Sequence, residues 1–238
     1  MTTEAVGRMT SFPLKGATRP GYLALPEGEG PFPAVVVIHE ILGLNDQIKA
    51  TARRFVAAGY AALAVDLFAG QNRMACMIRT FANLQRRPFD STSLDELKAA
   101  LSYLAALPEV DEARLGAIGF CMGGGFAIAW ACTDDRLKAV APYYGFNPKP
   151  LEKVRDSCAV VGSYPGRDLT RPQGRKLDEA LARYNIPHDI KTYPGALHSF
   201  FNEASRLTYN QEAAEDSWSR VMAFFGEHMP APVASPSL

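Results

Sequence analysis

The chain has 238 residues, 47% hydrophobic and 21% charged, with 25 Lys+Arg against 25 Asp+Glu. Balanced charge excludes the basic field that nucleic-acid phosphates or an anionic membrane surface would attract. This length predicts one domain burying roughly 70–75% of the unfolded chain's surface, with no need of disulfides or structural metals.

The first fifteen residues are polar and broken by Glu4, Arg8 and Pro13, without the apolar stretch of a secretory signal. Apolar runs such as 34–38 and 61–65 are about five residues long, against the roughly 20 that span a bilayer. The four cysteines form no C-x-x-C pair, which suits a reducing compartment, and a cytoplasmic location is expected.

In chain order, strands are predicted at 21–25, 34–38, 61–65, 114–119, 137–143, 158–162 and 189–192. Helices are predicted at 47–58, 93–107, 122–132, 173–185 and 211–228. This alternation describes an α/β fold, a mainly parallel sheet flanked by helices on both faces. Asn45 or Asp46 can cap the first helix, and Gly59 ends it. Ser93 and Glu96 have capping-box spacing ahead of an apolar face of Leu97, Leu101 and Leu104, and Pro108 marks the stop. Residues 68–92 have no single clean period and read either as a mobile lid or as a short packed excursion. Residues 230–238, rich in Pro and Ser, are expected to be a disordered tail behind a single domain of residues 1–229.

Gly119-Phe120-Cys121-Met122-Gly123 follows an apolar strand and opens a helix of small residues. That is the strand–turn–helix setting of a nucleophile elbow, G-x-Nuc-x-G, with cysteine as the nucleophile. Neighbours without Cβ let strand and helix close around a strained turn, and the helix N-terminus brings positive partial charge to the sulfur. Free cysteines are ordinarily small buried hydrophobes, and Cys76, Cys132 and Cys158 are read that way.

A thiol nucleophile needs an oriented base, and in this fold nucleophile, acid and histidine follow in that order. Of the four histidines, His39 precedes the nucleophile, His188 opens a strand and His228 ends the last helix. His198, in the turn-rich stretch 193–200, is the candidate base. Asp168, in the loop after strand 158–162, is the candidate acid; Asp178 and Glu179 read as helical, and Asp189 as strand. A turn-forming aspartate is the plainer alternative for Asp168. The backbones of Ile41, after strand 34–38, and Met122, after the nucleophile, are candidate oxyanion-hole donors. Glu40 reads equally as a surface charge or as a participant.

These residues resemble the dienelactone hydrolases, or carboxymethylenebutenolidases, of the α/β-hydrolase fold. The likeness runs from about Gly21 to His228. It rests on His39-Glu40-Ile41-Leu42-Gly43-Leu44-Asn45, Gly119-Phe120-Cys121-Met122-Gly123-Gly124, Tyr143-Tyr144-Gly145 and Gly195-Ala196-Leu197-His198-Ser199-Phe200. It implies a Cys–Asp–His triad at Cys121, Asp168 and His198. It also implies a glutamate at Glu40 that interacts with the resting cysteine and takes part in its activation, and substrate contacts at Tyr144, Ser199 and Asn202.

Relatives that act on dienelactone hold its carboxylate with two arginines. The corresponding positions here resemble Gly70 and Asn202, and neither carries charge. Losing one such guanidinium removes a contact worth about 1.5–3 kcal/mol, so a less anionic substrate is expected unless Arg73 or Arg79 reaches the pocket. The resemblance therefore implies a cysteine hydrolase of a small-molecule ester or lactone that uses no cofactor or metal and passes through a thioester. No nucleic-acid or membrane partner is expected, and the chain should be a monomer or small homo-oligomer. A noncatalytic ligand-binding relative and a thiol redox sensor using Cys121 are the rival classes; a sensor has no need of Asp168.

Overall fold

All seven residues of strand β3 (Phe32–Ile38) are buried, as are all five of β4 (Ala61–Val65) and all seven of β7 (Ala159–Pro165). A strand covered on both faces has no polar side, so these segments read as continuous apolar runs. The computed structural model describes residues 7–69 and 73–231. The remaining strands are β1 (Arg8–Leu14), β2 (Ala17–Ala24), β5 (Val110–Phe120), β6 (Leu137–Tyr143) and β8 (His188–Tyr193). Together they form an eight-stranded sheet of order β1-β2-β4-β3-β5-β6-β7-β8. The β1–β2 and β2–β4 pairs are antiparallel, and every pair from β4 to β8 is parallel.

Alternate residues of the central strands feed two apolar layers. Val36, Ile38, Leu63 and Val65 pack with helices α2 (Arg73–Arg86), α3 (Thr92–Ala105), α4 (Met122–Ala131) and α5 (Arg171–Arg183). Val35, Val37, Ala62 and Ala64 pack with α1 (Asp46–Ala57) and α6 (Gln211–His228). The mainly parallel sheet with helices on both faces is thus the observed architecture. Among the described residues, no helix is long and apolar enough to cross a membrane.

Several local readings are corrected. Strand β1 was not anticipated. Only Phe12 of its seven residues is buried, so the edge strand carries no apolar alternation, and Pro13 is tolerated there because an edge can spare a donor. Lys15 and Gly16, at φ 45° and 81°, turn it into β2 as a two-residue hairpin. Within 68–92 the chain forms α2, whose inward positions include Thr80 while Met74, Ile78 and Phe81 face outward. A polar residue inside and apolar residues outside blur the helical period. The cap of α3 is Ser91, which accepts from the Leu94 N–H at 3.4 Å; Ser93 is buried within the helix. Glu96 is no capping-box partner, since its carboxylate lies 3.2 Å from Arg19 on the β1–β2 hairpin. Asn45, rather than Asp46, caps α1 through the Ile48 N–H. Pro230, assigned to the tail, is tied to the folded body by a hydrogen bond from Arg114 to its carbonyl. Residues 232–238 of that tail, and Gly70, lie outside the described residues.

Helix α4 starts hard against its neighbours. A Cβ on Gly123 would sit 2.6 Å from the Ile38 carbonyl oxygen and 2.8 Å from that of His39. Backbone cannot swing aside as a side-chain tip can, so Gly123→Ala should destabilise the protein by about 1–3 kcal/mol in urea denaturation. Wild-type stability in that variant would refute the close approach.

Candidate active site

Strands β3, β5, β7 and β8 run parallel, so the loops leaving them emerge at one edge of the sheet. Cys121 stands between β5 and α4 at φ 54° and ψ −113°, a backbone conformation that residues with a side chain rarely adopt. Its side chain is half-buried at the N-terminus of α4. By contrast, burial pushes the Cys132 and Cys158 thiols up to about 12, which keeps them protonated and inert.

The loop after β7 carries Asp168 and the loop after β8 carries His198. Asp168 Oδ2 lies 2.8 Å from His198 Nδ1. An ionised carboxylate can only accept, so Nδ1 bears the proton of this pair. The same oxygen accepts from the hydroxyl and the N–H of Thr170, itself buried. Burial favours the neutral acid, but the bonds from Thr170 and His198 outweigh it and hold Asp168 below the usual carboxylate range. Around His198, burial works against the charged ring, yet interactions with Cys121 and Asp168 prevail and raise it to about 9.

Backbone bonds lace the two loops together, from Gly166 N–H to the Tyr193 carbonyl (2.7 Å) and from Arg167 N–H to the Ala196 carbonyl (3.1 Å). At the end of β8, the Tyr193 hydroxyl donates to Asp216 at 2.7 Å and accepts from Arg220 at 3.1 Å. Tyr144, buried and at φ 41°, packs its ring 4.9 Å from that of His198. Burial first, then the neighbouring Glu40 and Cys121 side chains, drive its phenol well above the ordinary range, so it stays protonated.

Glu40 follows β3 and is buried. Its Oε2 accepts from the Ser199 hydroxyl at 2.9 Å, and its Oε1 from the Asn202 side-chain amide at 3.0 Å. Ser199 and Asn202, expected among substrate contacts, thus spend these polar groups on Glu40, and Asn202 is itself only 8% exposed. Arg79 does not replace a missing cation at the site. It reaches back to Cys76 on its own helix, and its charge acts on the Glu96 carboxylate. The Arg73 side chain lies outside the described residues.

His39, which precedes Cys121 in the chain, has a positioning task. It is fully buried, and its Nε2 accepts the Leu67 N–H at 3.0 Å. That bond puts the ring proton on Nδ1, which donates to the Glu40 carbonyl at 2.6 Å. The ring also packs 4.6 Å from that of Phe68. A single neutral tautomer therefore ties the loop after β3 to the loop after β4 and steadies the main chain entering Ile41. Ile41 is half-exposed, and Met122 is the first residue of α4, where an N–H has no acceptor within the helix. Of the remaining histidines, His188 bonds to the Ile186 carbonyl at 2.6 Å and His228 packs on Phe224.

Residues 20–229 match the model of the dienelactone hydrolase family. The chain is 34% identical to a protein of Saccharolobus solfataricus provisionally named a carboxymethylenebutenolidase, over 88% of this chain and 94% of that one. It is 32% identical to a similarly named protein of Methylorubrum extorquens, over 96% and 84%. Among solved structures it is similar to a provisionally named dienelactone hydrolase of Klebsiella pneumoniae, with TM-score 0.81, 29% identity and coverage of 93% and 98%. It is also similar to a dienelactone hydrolase-like promiscuous phosphotriesterase from metagenomic libraries, with TM-score 0.83, 25% identity and coverage of 94% and 98%.

His198 should titrate near 9 when followed by the NMR shifts of its ring protons, and the midpoint should fall in Cys121→Ala, where one of its two raising partners is lost. The folded protein holds this proton more tightly than an unfolded chain, whose imidazole titrates at about 6.5. The stabilisation is therefore complete below about 6.5 and is lost as pH rises through about 9. A wild-type midpoint near 6.5 would contradict the geometry.

Proposed function

Because this chain belongs to the dienelactone hydrolase family, we propose that it hydrolyses a small carboxylic ester or lactone with Cys121 as nucleophile and a thioester as acyl-enzyme. The observation that carries this reading is the convergence of an elbow cysteine with an imidazole whose other side is held by a half-buried carboxylate.

The imidazolium of His198 and the N-terminus of α4 both favour thiolate over thiol as the attacking species. The sulfur adds to the carbonyl carbon, and the negative charge that develops on oxygen is met by the N–H groups of Ile41 and Met122. Collapse expels the alkoxide, which takes a proton from His198; in a lactone it remains attached to the acyl group. The neutral imidazole then removes a proton from water, hydroxide adds to the thioester, and the sulfur leaves as thiolate while His198 regains its proton. Asp168 keeps the ring in one tautomer throughout.

Glu40 serves as a second acid–base group beside the thiol, once its side chain leaves Ser199 and Asn202. Tyr144, neutral and packed on His198, forms the apolar wall that confines the ring. The chain's own residues supply every proton transfer in this scheme, so no cofactor or metal enters it.

Wild-type protein should hydrolyse p-nitrophenyl acetate, and Cys121→Ala should reduce the rate to background. Asp168→Asn should lower kcat by up to about 10⁴-fold by releasing the wrong tautomer. Rapid quenching followed by mass spectrometry should find the acetyl group on Cys121. Substantial turnover by Cys121→Ala would overturn the proposal.

A further inference from the structure

Five exposed aliphatic residues neighbour, along the chain, members of the polar cluster at Cys121. Ile41 and Leu42 follow Glu40, Leu169 follows Asp168, and Leu197 precedes His198; they are 49%, 55%, 82% and 39% exposed. Leu207, 89% exposed, adjoins Thr208, whose hydroxyl donates to the Ser199 carbonyl at 3.4 Å. The Asp168–His198 and Glu40–Ser199 hydrogen bonds draw the three loops together. Each of the five therefore lies within two residues of one hydrogen-bonded cluster, and one residue advances the chain by only about 3.8 Å. A single exposed leucine needs no explanation, but five from three loops around one site do.

The polar groups nearby are engaged inward. Ser199, Asn202 and Thr170 all serve the two carboxylates, and Arg79 is turned toward Cys76 and Glu96. What these loops offer outward is therefore largely aliphatic, with Arg167 and Arg206 as exposed cations and Glu203, paired with Arg54 at 3.5 Å, as an exposed carboxylate in the same stretches.

We propose that this rim binds an uncharged apolar chain, alkyl or aryl, attached to the scissile carbonyl, so that the substrate class is a neutral apolar ester or lactone. The proposal rests on the hydrolase reading of Cys121, since the rim has a catalytic use only if the carbonyl is delivered there. A carboxylate-bearing substrate, drawn by Arg167 or Arg206, is the competing outcome.

The test is a series of p-nitrophenyl esters from acetate to octanoate, with the hemiglutarate as the carboxylate-bearing member. kcat/KM should climb by about tenfold or more along the neutral series, mostly through KM, as methylenes leave water. The double variant Leu42→Ser, Leu169→Ser should flatten that climb, read as the octanoate-to-acetate ratio so that a general loss of activity cancels. A flat or falling neutral series, or hemiglutarate turned over better than pentanoate, would overturn the proposal.

A second measurement needs neither the variant nor turnover. In wild-type protein, alkylation of Cys121 by iodoacetamide, followed by peptide mass mapping, should be slowed by octanamide and not by acetamide. Equal protection by both amides rejects the rim. Protection by octanamide alone, with no Cys121-dependent turnover of any ester, would instead reject the hydrolase reading and leave the rim standing.

Discussion

The backbone of Cys121 is held in a conformation that costs of order 1–3 kcal/mol for a residue with a side chain, and the rest of the site depends on that cost being met. It is met by packing. All ten residues of α4 are buried, among them Phe126 and Trp130, and full burial of a large apolar side chain is worth about 1.5–3 kcal/mol. The indole of Trp130 also donates to Asp134 at 3.0 Å, so its one polar atom is not left unpaired in the core. Anchored this way, the helix begins against the carbonyl ends of β3 and β6, and the turn before it has no room to relax. The sulfur is then carried at a helix N-terminus with access to solvent, beside the imidazole of His198.

Electrostatics builds on that anchor. Two carboxylates, Asp168 and Glu40, flank the site: Thr170 donates to Asp168 beside its bond to His198, and Ser199 and Asn202 donate to Glu40. Neutral donors stabilise a carboxylate without cancelling its charge, so Asp168 still acts on His198 and Glu40 still acts on Tyr144. The cluster consumes much of its hydrogen-bonding capacity internally, and the surface around it is largely aliphatic between the exposed charges of Arg167, Glu203 and Arg206. The same economy explains why Asn202 is buried.

The central architecture was legible in the sequence because buried parallel strands announce themselves as unbroken apolar runs. The seven expected strands are present, with β2 and β5 each starting four residues earlier than expected, at Ala17 and Val110. Elements β1 and α2 obey the opposite rule. β1 lies at an edge with one buried residue, and α2 turns Thr80 inward and Met74, Ile78 and Phe81 outward, so neither shows the period of its class. The N-cap of α3 moved from Ser93 to Ser91 because the Glu96 that suggested a capping box is recruited by Arg19 from a hairpin far along the chain.

The sequence alone determined the chemistry available at the candidate site. The glycine-flanked turn at Cys121 is a local object, encoded in five adjacent residues, and Asp168 and His198 lie in loops that follow later strands. Only the tertiary structure decided how those groups are held. Ser199 and Asn202 reach Glu40 from 159 and 162 residues away, and Leu67 sets the tautomer of His39 across 28 residues. A hydrogen bond depends on where two lone atoms meet and which of them bears the proton, and neither is written in residue type or spacing.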